Sequence, residues 1–137
     1  MKFRFGAGLA AFLFAGVTAA VAHHSVQAQF DLSKPITVTG QVTKVEWINP
    51  HSYLYIDAKD DKGKPKHWTI ECANISILGR IGWTFNMIKP GDTITVIVAP
   101  LHSGQAGALL KQVTLADGSK MGNGAPAGPP DPKLAAE

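Results

Sequence analysis

The chain has 137 residues, 45% of them hydrophobic and 17% charged, with 13 basic side chains against 10 acidic ones and a formal net charge of +3. That length suits one small domain, and the charge gives no case for a nucleic-acid partner. A lone cysteine, Cys72, excludes an intramolecular disulfide, so a packed core has to hold the domain unaided.

The first 22 residues read as an export signal. Lys2 and Arg4 form a short positive region, Gly6 to Val17 is apolar, and Ala20-Val21-Ala22 is a small-x-small cleavage site. The apolar run is too short for a membrane anchor, and His-His-Ser follows it rather than basic residues. No second long apolar run occurs, so no membrane span is expected after cleavage. Cutting after Ala22 leaves 115 residues with 11 basic and 10 acidic side chains, a net charge of +1.

Residues 23–35 form a polar lead-in with one large aromatic residue, Phe30. A long first strand is expected over 36–47. Ile36, Val38 and Val42 share one parity, whereas Val45 and Trp47 have the other. A strand of period two cannot change parity without an extra residue, which implies a bulge near Thr43-Lys44, with Gly40 easing a bend. Asn49-Pro50 signals a turn. The second strand, 52–58, points Leu54 and Ile56 one way and Tyr53 and Tyr55 the other. Asp60 to Pro65 is a charged turn. In the third strand, 66–73, Trp68, Ile70 and Cys72 alternate with His67, Thr69 and Glu71.

Asn74 is a fair cap for a short helix over 75–81 that stops at Gly82. Lys89-Pro90-Gly91-Asp92 fits a type II turn, with proline second and glycine third. A fourth strand over 93–99 turns Ile94, Val96 and Val98 inward. A loop of small residues from His102 leads to a fifth strand over 109–115, and Asp117-Gly118 marks another turn. Residues 121–137 are dominated by Gly, Ala and Pro, with almost nothing to bury, and read as a disordered tail.

Three strands, a helix and two strands, with a bulged first strand, predict a mainly β domain over 36–120. The expected architecture is a small five-stranded Greek-key barrel like the oligonucleotide/oligosaccharide-binding (OB) fold, with one short helix between strands three and four. The alternative, an immunoglobulin-like sandwich, needs about seven strands. Trp47, Trp68, Trp83 and Phe85 are expected in the core or as a cover for the barrel end.

Ala22-His-His-Ser, the run from Phe30 to His51 (F-D-x-x-K-P-I-T-V-T-G-Q-V-T-K-V-E-W-I-N-P-H), a Trp-bearing strand, and Gly82-Trp-Thr followed by Lys89-Pro-Gly-Asp together resemble a family of small exported bacterial proteins, domain of unknown function 6152. The matching pieces run from about Ala22 to Asp117, and Val45 to His51 is the most specific. Val26 stands where a Phe often follows His-His-Ser, and Ile88 where Leu precedes Lys-Pro-Gly-Asp. The resemblance implies an exported single domain, hence a periplasmic protein, and brings no reaction, because the family is functionally uncharacterised.

Three groups of residues carry candidate chemistry. After cleavage, His23 presents a free α-amine and an imidazole, with His24 beside it. An all-nitrogen set of this kind suits Cu(II) or Ni(II), and Cu(II) is favoured. Against this stands a mobile terminus that binds nothing. His51, at the mouth of the first hairpin, is either a local turn residue or a third nitrogen for that site. The outward face of strands two and three, with Tyr53, Tyr55, His67, Thr69 and Glu71, is the face that receives ligands in OB-type barrels. Its tyrosines suit a glycan or a protein partner, or they are cross-strand pairs that stabilise an exposed sheet.

Glu46 and Glu71 are candidate acids or bases, but no paired carboxylates with a convincing spacing, no Ser-His-Asp set and no phosphate-cradling glycine loop accompany them, and no enzyme is expected. Two functional classes remain: a periplasmic binding or adaptor module, and a copper-handling protein using His23, His24 and His51. A structural exported domain without a ligand is the third reading.

Overall fold

A computed structural model of the chain describes residues 26–124. The expected signal peptide, His23 and His24, and the chain from 125 onward lie outside the described residues. In order, the elements are β1 (Ile36–Glu46), β2 (Tyr53–Lys59), β3 (Pro65–Glu71), the helix α1 (Ile75–Arg80), β4 (Thr93–Pro100), β5 (Gly107–Thr114) and β6 (Lys120–Gly122).

The strands close on themselves. β1 lies antiparallel between β2 and β4, β3 pairs with β2, and β5 pairs with β4. A parallel seam joins Thr69 to Gly107, Ile70 to Ala108 and Glu71 to Leu109, and completes the ring. The result is a mainly β, closed five-stranded barrel of the OB type, with one short helix between β3 and β4. One sheet curls round a single interior, which rules out the two facing sheets of the sandwich alternative.

Alternation explains which way each strand faces. Val38, Leu54, Ile56, Trp68, Ile70, Ile94, Val96, Val98, Leu110 and Val113 point into the barrel and are buried. Burying each large aliphatic side chain stabilises the fold by roughly 1.5–3 kcal/mol. The expected bulge is present: the register of β1 against β2 shifts between Val42 and Lys44. Val42 is therefore buried before the bulge, and Val45 packs against the core after it.

Local signals set the ends of α1. Asn74 is extended, and its side-chain oxygen accepts from the Ile77 amide at 2.8 Å. Gly82 follows at φ +96°, a left-handed conformation suited to glycine. At the β4 entrance Gly91 also has φ +96°, and the Asp92 amide donates to the Lys89 carbonyl at 3.1 Å, as a type II turn requires.

Two expectations need correcting at the edges. The barrel chain does not stop at 120: Lys120–Gly122 form a strand paired with Thr114, Val113 and Gln112 of β5. Three residues are too few to show an alternation, so composition masked the strand. Phe85, expected in the core or as a cover, is 62% exposed. The lead-in is also fastened down. Residues 26–29 form a helical turn, Phe30 is buried and bridges to Leu101, and the Asp31 amide donates to the Pro100 carbonyl at 2.8 Å.

Candidate functional site

The β1 bulge builds the outer face on which the candidate residues meet. Before it, Thr37, Thr39 and Gln41 face outward; after it, Lys44 and Glu46 do. The shift sets Lys44 opposite Tyr55 and Glu46 opposite Tyr53. Across β2, Tyr53 lies opposite Glu71, Tyr55 opposite Thr69 and Asp57 opposite His67. Three strands thus bring two half-buried tyrosines and two glutamates together, with Thr69 beside them.

Each charge on this face has a partner. The Tyr55 hydroxyl donates to Glu46 Oε2 at 2.8 Å, and Lys44 Nζ bonds Glu46 Oε1. The Lys44 ammonium also sits 5.3 Å from the centre of the Tyr55 ring. Lys44, and then the Tyr55 hydroxyl, hold the Glu46 carboxyl below its ordinary range. The bond to Glu46 pushes the Tyr55 phenol up. Tyr53 is raised chiefly by burial and then by the charges of Glu71 and Glu46. The two tyrosine rings lie 6.5 Å apart, tilted by 38°.

His51 sits in the β1–β2 connection, just after a cis Asn49-Pro50 peptide bond. Its Nδ1 lies 2.7 Å from Glu71 Oε1, so the loop is tied to the end of β3. Next to it, Ser52 is buried and its hydroxyl donates to the Ile48 carbonyl at 3.4 Å. His67 stands apart from this cluster. It pairs with Asp57, Nδ1 to Oδ1 at 2.5 Å, four residues and about 13 Å along β3 from Glu71.

Of the proposed set, the structure gathers His51, Tyr53, Tyr55, Thr69 and Glu71 and leaves His67 at the rim. It adds Lys44 as a member and gives Glu46 a place as the hydrogen-bond partner of Tyr55. The signal for both was in the sequence, because an inferred bulge at 43–44 necessarily turns 44 and 46 outward. Among the described residues no three His, Cys, Asp or Glu side chains are grouped to hold a metal ion. Cys72 is buried, and burial pushes its thiol far up, which removes it as a nucleophile.

The profile of a family described as a family of unknown function (DUF6152) matches residues 11–111. The chain belongs to this family. Lys44 through Glu71, and so the whole tyrosine face, fall inside the matched stretch. No curated protein matches the chain. Among solved structures, the mitochondrial single-stranded DNA-binding protein Rim1 from S. cerevisiae is similar over 61% of this chain and 93% of its own, at 10% identity and a TM-score of 0.47. No helix among the described residues is long and apolar enough to cross a membrane.

Proposed function

We propose that this protein is an exported, non-enzymatic binding module that takes a neutral glycan on the outer face of β2 and β3. The observation that carries the reading is the Tyr53–Tyr55 pair set among carboxylates that already have partners, Glu46 with Lys44 and Glu71 with His51. Aromatic rings present apolar faces on which a pyranose can lie, and the surrounding carboxylates and Thr69 supply acceptors for its hydroxyls. Glu46, Glu71 and Asp57 would repel a phosphate backbone, so the same face suits nucleic acid poorly although its rings could stack on bases. A catalytic role lacks support. The His51–Glu71 pair resembles an oriented base, but the neighbouring Ser52 hydroxyl is buried and turned to a carbonyl.

Titration with N-acetylglucosamine oligosaccharides, followed by NMR, tests the proposal. Shifts confined to Tyr53, Tyr55, Thr69 and Glu71, and lost in Tyr53→Ala, support it. Absence of binding, or shifts elsewhere on the barrel, overturns it in favour of a protein partner or a structural role.

A second reading, copper capture at the processed terminus, draws its support from His51. Glu71 holds Nδ1 and leaves Nε2 as the ring's other nitrogen, the arrangement in which carboxylates orient metal-binding histidines. With His23 and His24 it would make an all-nitrogen site for Cu(II). Electron paramagnetic resonance of the Cu(II)-loaded, exported protein should then show nitrogen couplings. An extra residue before His23 should abolish them, and equal weak binding in both versions retires the copper reading.

A further inference from the structure

The β2–β3 hairpin parts from β1 before β1 begins. β4 pairs with β1 from Ile36 onward, whereas β2 joins it only at Gly40. Residues 36–39 therefore have a strand on the β4 side and, among the described residues, none on the other. That free side opens on a groove of about 320 Å³. Residues 36–39 form one wall and residues 58–61 the other, and Lys66 and Trp68 complete the lining.

Alternation fixes what the free side offers. The Val42 amide donates to the Asp92 carbonyl and the Val42 carbonyl accepts from the Gly91 amide, both at 2.8 Å. The even-numbered residues of β1 before its bulge thus turn their peptide groups toward β4, and Thr37 and Thr39 turn theirs toward the groove. The Thr37 amide and carbonyl have no partner among the described residues. The edge itself, I-T-V-T, is β-branched throughout, with no proline and no charge. The other free edge at this end, β3 before its seam at Thr69, carries Pro65 and Lys66, which discourage pairing.

Two further groups select what can lie there. Lys66 has no carboxylate partner among the described residues, and its ammonium rests 4.4 Å from the centre of the Trp68 ring. Trp68 is 7% exposed, and its indole N–H has no acceptor among the described residues. No buried side-chain nitrogen is left without a partner, so that N–H lies at the small exposed part of Trp68, which lines the groove. Of the acidic wall residues, Asp60 already accepts the Lys62 and Lys64 amides at 2.9 and 2.8 Å, and Asp61 is exposed.

We infer that this groove takes an extended acidic peptide, added as a strand to the free edge of β1, with a carboxylate of the peptide held by Lys66 and the Trp68 indole N–H. Strand addition requires a partner with N–H and C=O groups repeating at strand spacing, which a polypeptide has and a glycan lacks. Main-chain bonds to Thr37 and Thr39 supply affinity, and the charge-assisted contact to Lys66 selects acidic segments. Residues 36–39 span about 10 Å, so three or four peptide residues are engaged. The inference is independent of any ligand on the tyrosine face.

Titration of the exported protein with acetyl-Val-Thr-Glu-Thr-Val-amide, followed by NMR, tests this. Saturable shifts are expected at the Thr37 and Thr39 amides and at the Trp68 indole, with hydrogen exchange of the Thr37 amide slowed several-fold. An analogue N-methylated through Thr-Glu-Thr keeps the charge but loses the main-chain donors, and it should not bind. Glutamine in place of the peptide's glutamate should weaken binding several-fold. Lys66→Met keeps an apolar stem over Trp68 and should erase that difference while the glutamine peptide still binds. No saturable binding at millimolar peptide, equal binding of the N-methylated analogue, or a preference for glutamate that persists in Lys66→Met overturns the inference. Shifts confined to the Tyr53–Tyr55 face overturn it as well.

Discussion

A methyl group at Gly40 has nowhere to go. It would collide with the Asp57 carbonyl oxygen and come 2.6 Å from Ile56 Cγ2, where β1 crosses β2 in register with Ala58. Backbone cannot yield as a flexible side chain can, so Gly40→Ala should cost about 1–3 kcal/mol and lower the melting temperature by about 4–8 °C per kcal/mol. Gly79→Ala is the opposite case. Nothing lies within 4 Å of the added carbon, and the residue sits inside α1, where alanine is favoured by up to about 1 kcal/mol. Thermal melts of the two variants should move in opposite directions. The tyrosine face supplies a second prediction at this scale. Tyr55 is raised first by its bond to Glu46, whereas Tyr53 is raised first by burial. A raised phenol favours the folded state below its ordinary value near 10, and that stability is lost as pH climbs through the folded value. Glu46→Gln should therefore bring the Tyr55 titration back toward its ordinary range and move Tyr53 less, as followed by NMR of the ring signals. Equal shifts in both would mean that burial, not the hydrogen bond, governs Tyr55. The depressed Glu46 carboxyl has the opposite sign, with its contribution lost as pH falls through its folded value.

Among the elements, β6 is the smallest and the one most dependent on a single side chain. Asn123 follows it, donates from Nδ2 to the Leu110 carbonyl at 2.9 Å and accepts the Ala73 amide on Oδ1 at 2.6 Å. One amide thus ties the end of β6 to β5 and to the junction of β3 with α1. Asn123→Ala leaves a partly buried amide and carbonyl without partners and should cost about 1–3 kcal/mol in denaturant titrations. Hydrogen exchange should rise first at Met121 and Gly122. If exchange there is unchanged, the β5 ladder alone holds the strand. This element was not legible in the sequence, because Asn123 acts across 50 residues to Ala73 and β6 is too short for a period. The longer elements were legible for the reverse reason. Strands β2 to β4 repeat an apolar residue every second position, Asn74 and Gly82 bracket α1, and the parity switch in β1 announced its bulge. The candidate site was half legible. Tyr53, Tyr55, Thr69 and Glu71 follow from alternation alone, but the bond from Tyr55 to Glu46 and the tie from His51 to Glu71 depend on cross-strand register. Alternation gives the face a residue occupies, whereas its cross-strand partner also depends on the geometry of the connecting turn and on which strands become neighbours.

At the scale of the whole barrel, closure rests on the seam between β3 and β5, three parallel residue pairs long. Parallel pairs are somewhat weaker than antiparallel ones, so the seam looks like the place where the ring would open on its own. Burial argues otherwise. Ile70, Cys72, Ala108 and Leu110 flank the seam, and each is at most 2% exposed. Parting the strands would bring Ile70 and Leu110 alone into water at about 1.5–3 kcal/mol each. Adding the lost core packing approaches the 5–15 kcal/mol that typically holds a small domain together. Opening the seam should therefore be nearly as costly as unfolding the domain. Cys72 reports on this without any substitution, because its thiol is buried and burial pushes its ionisation far up. A thiol reagent can reach it only when the barrel parts. Labelling of Cys72 should accelerate with urea along the same slope as global unfolding measured by tryptophan fluorescence. A shallower slope would reveal a seam that opens separately, and the barrel would then carry a hidden edge able to pair with another chain.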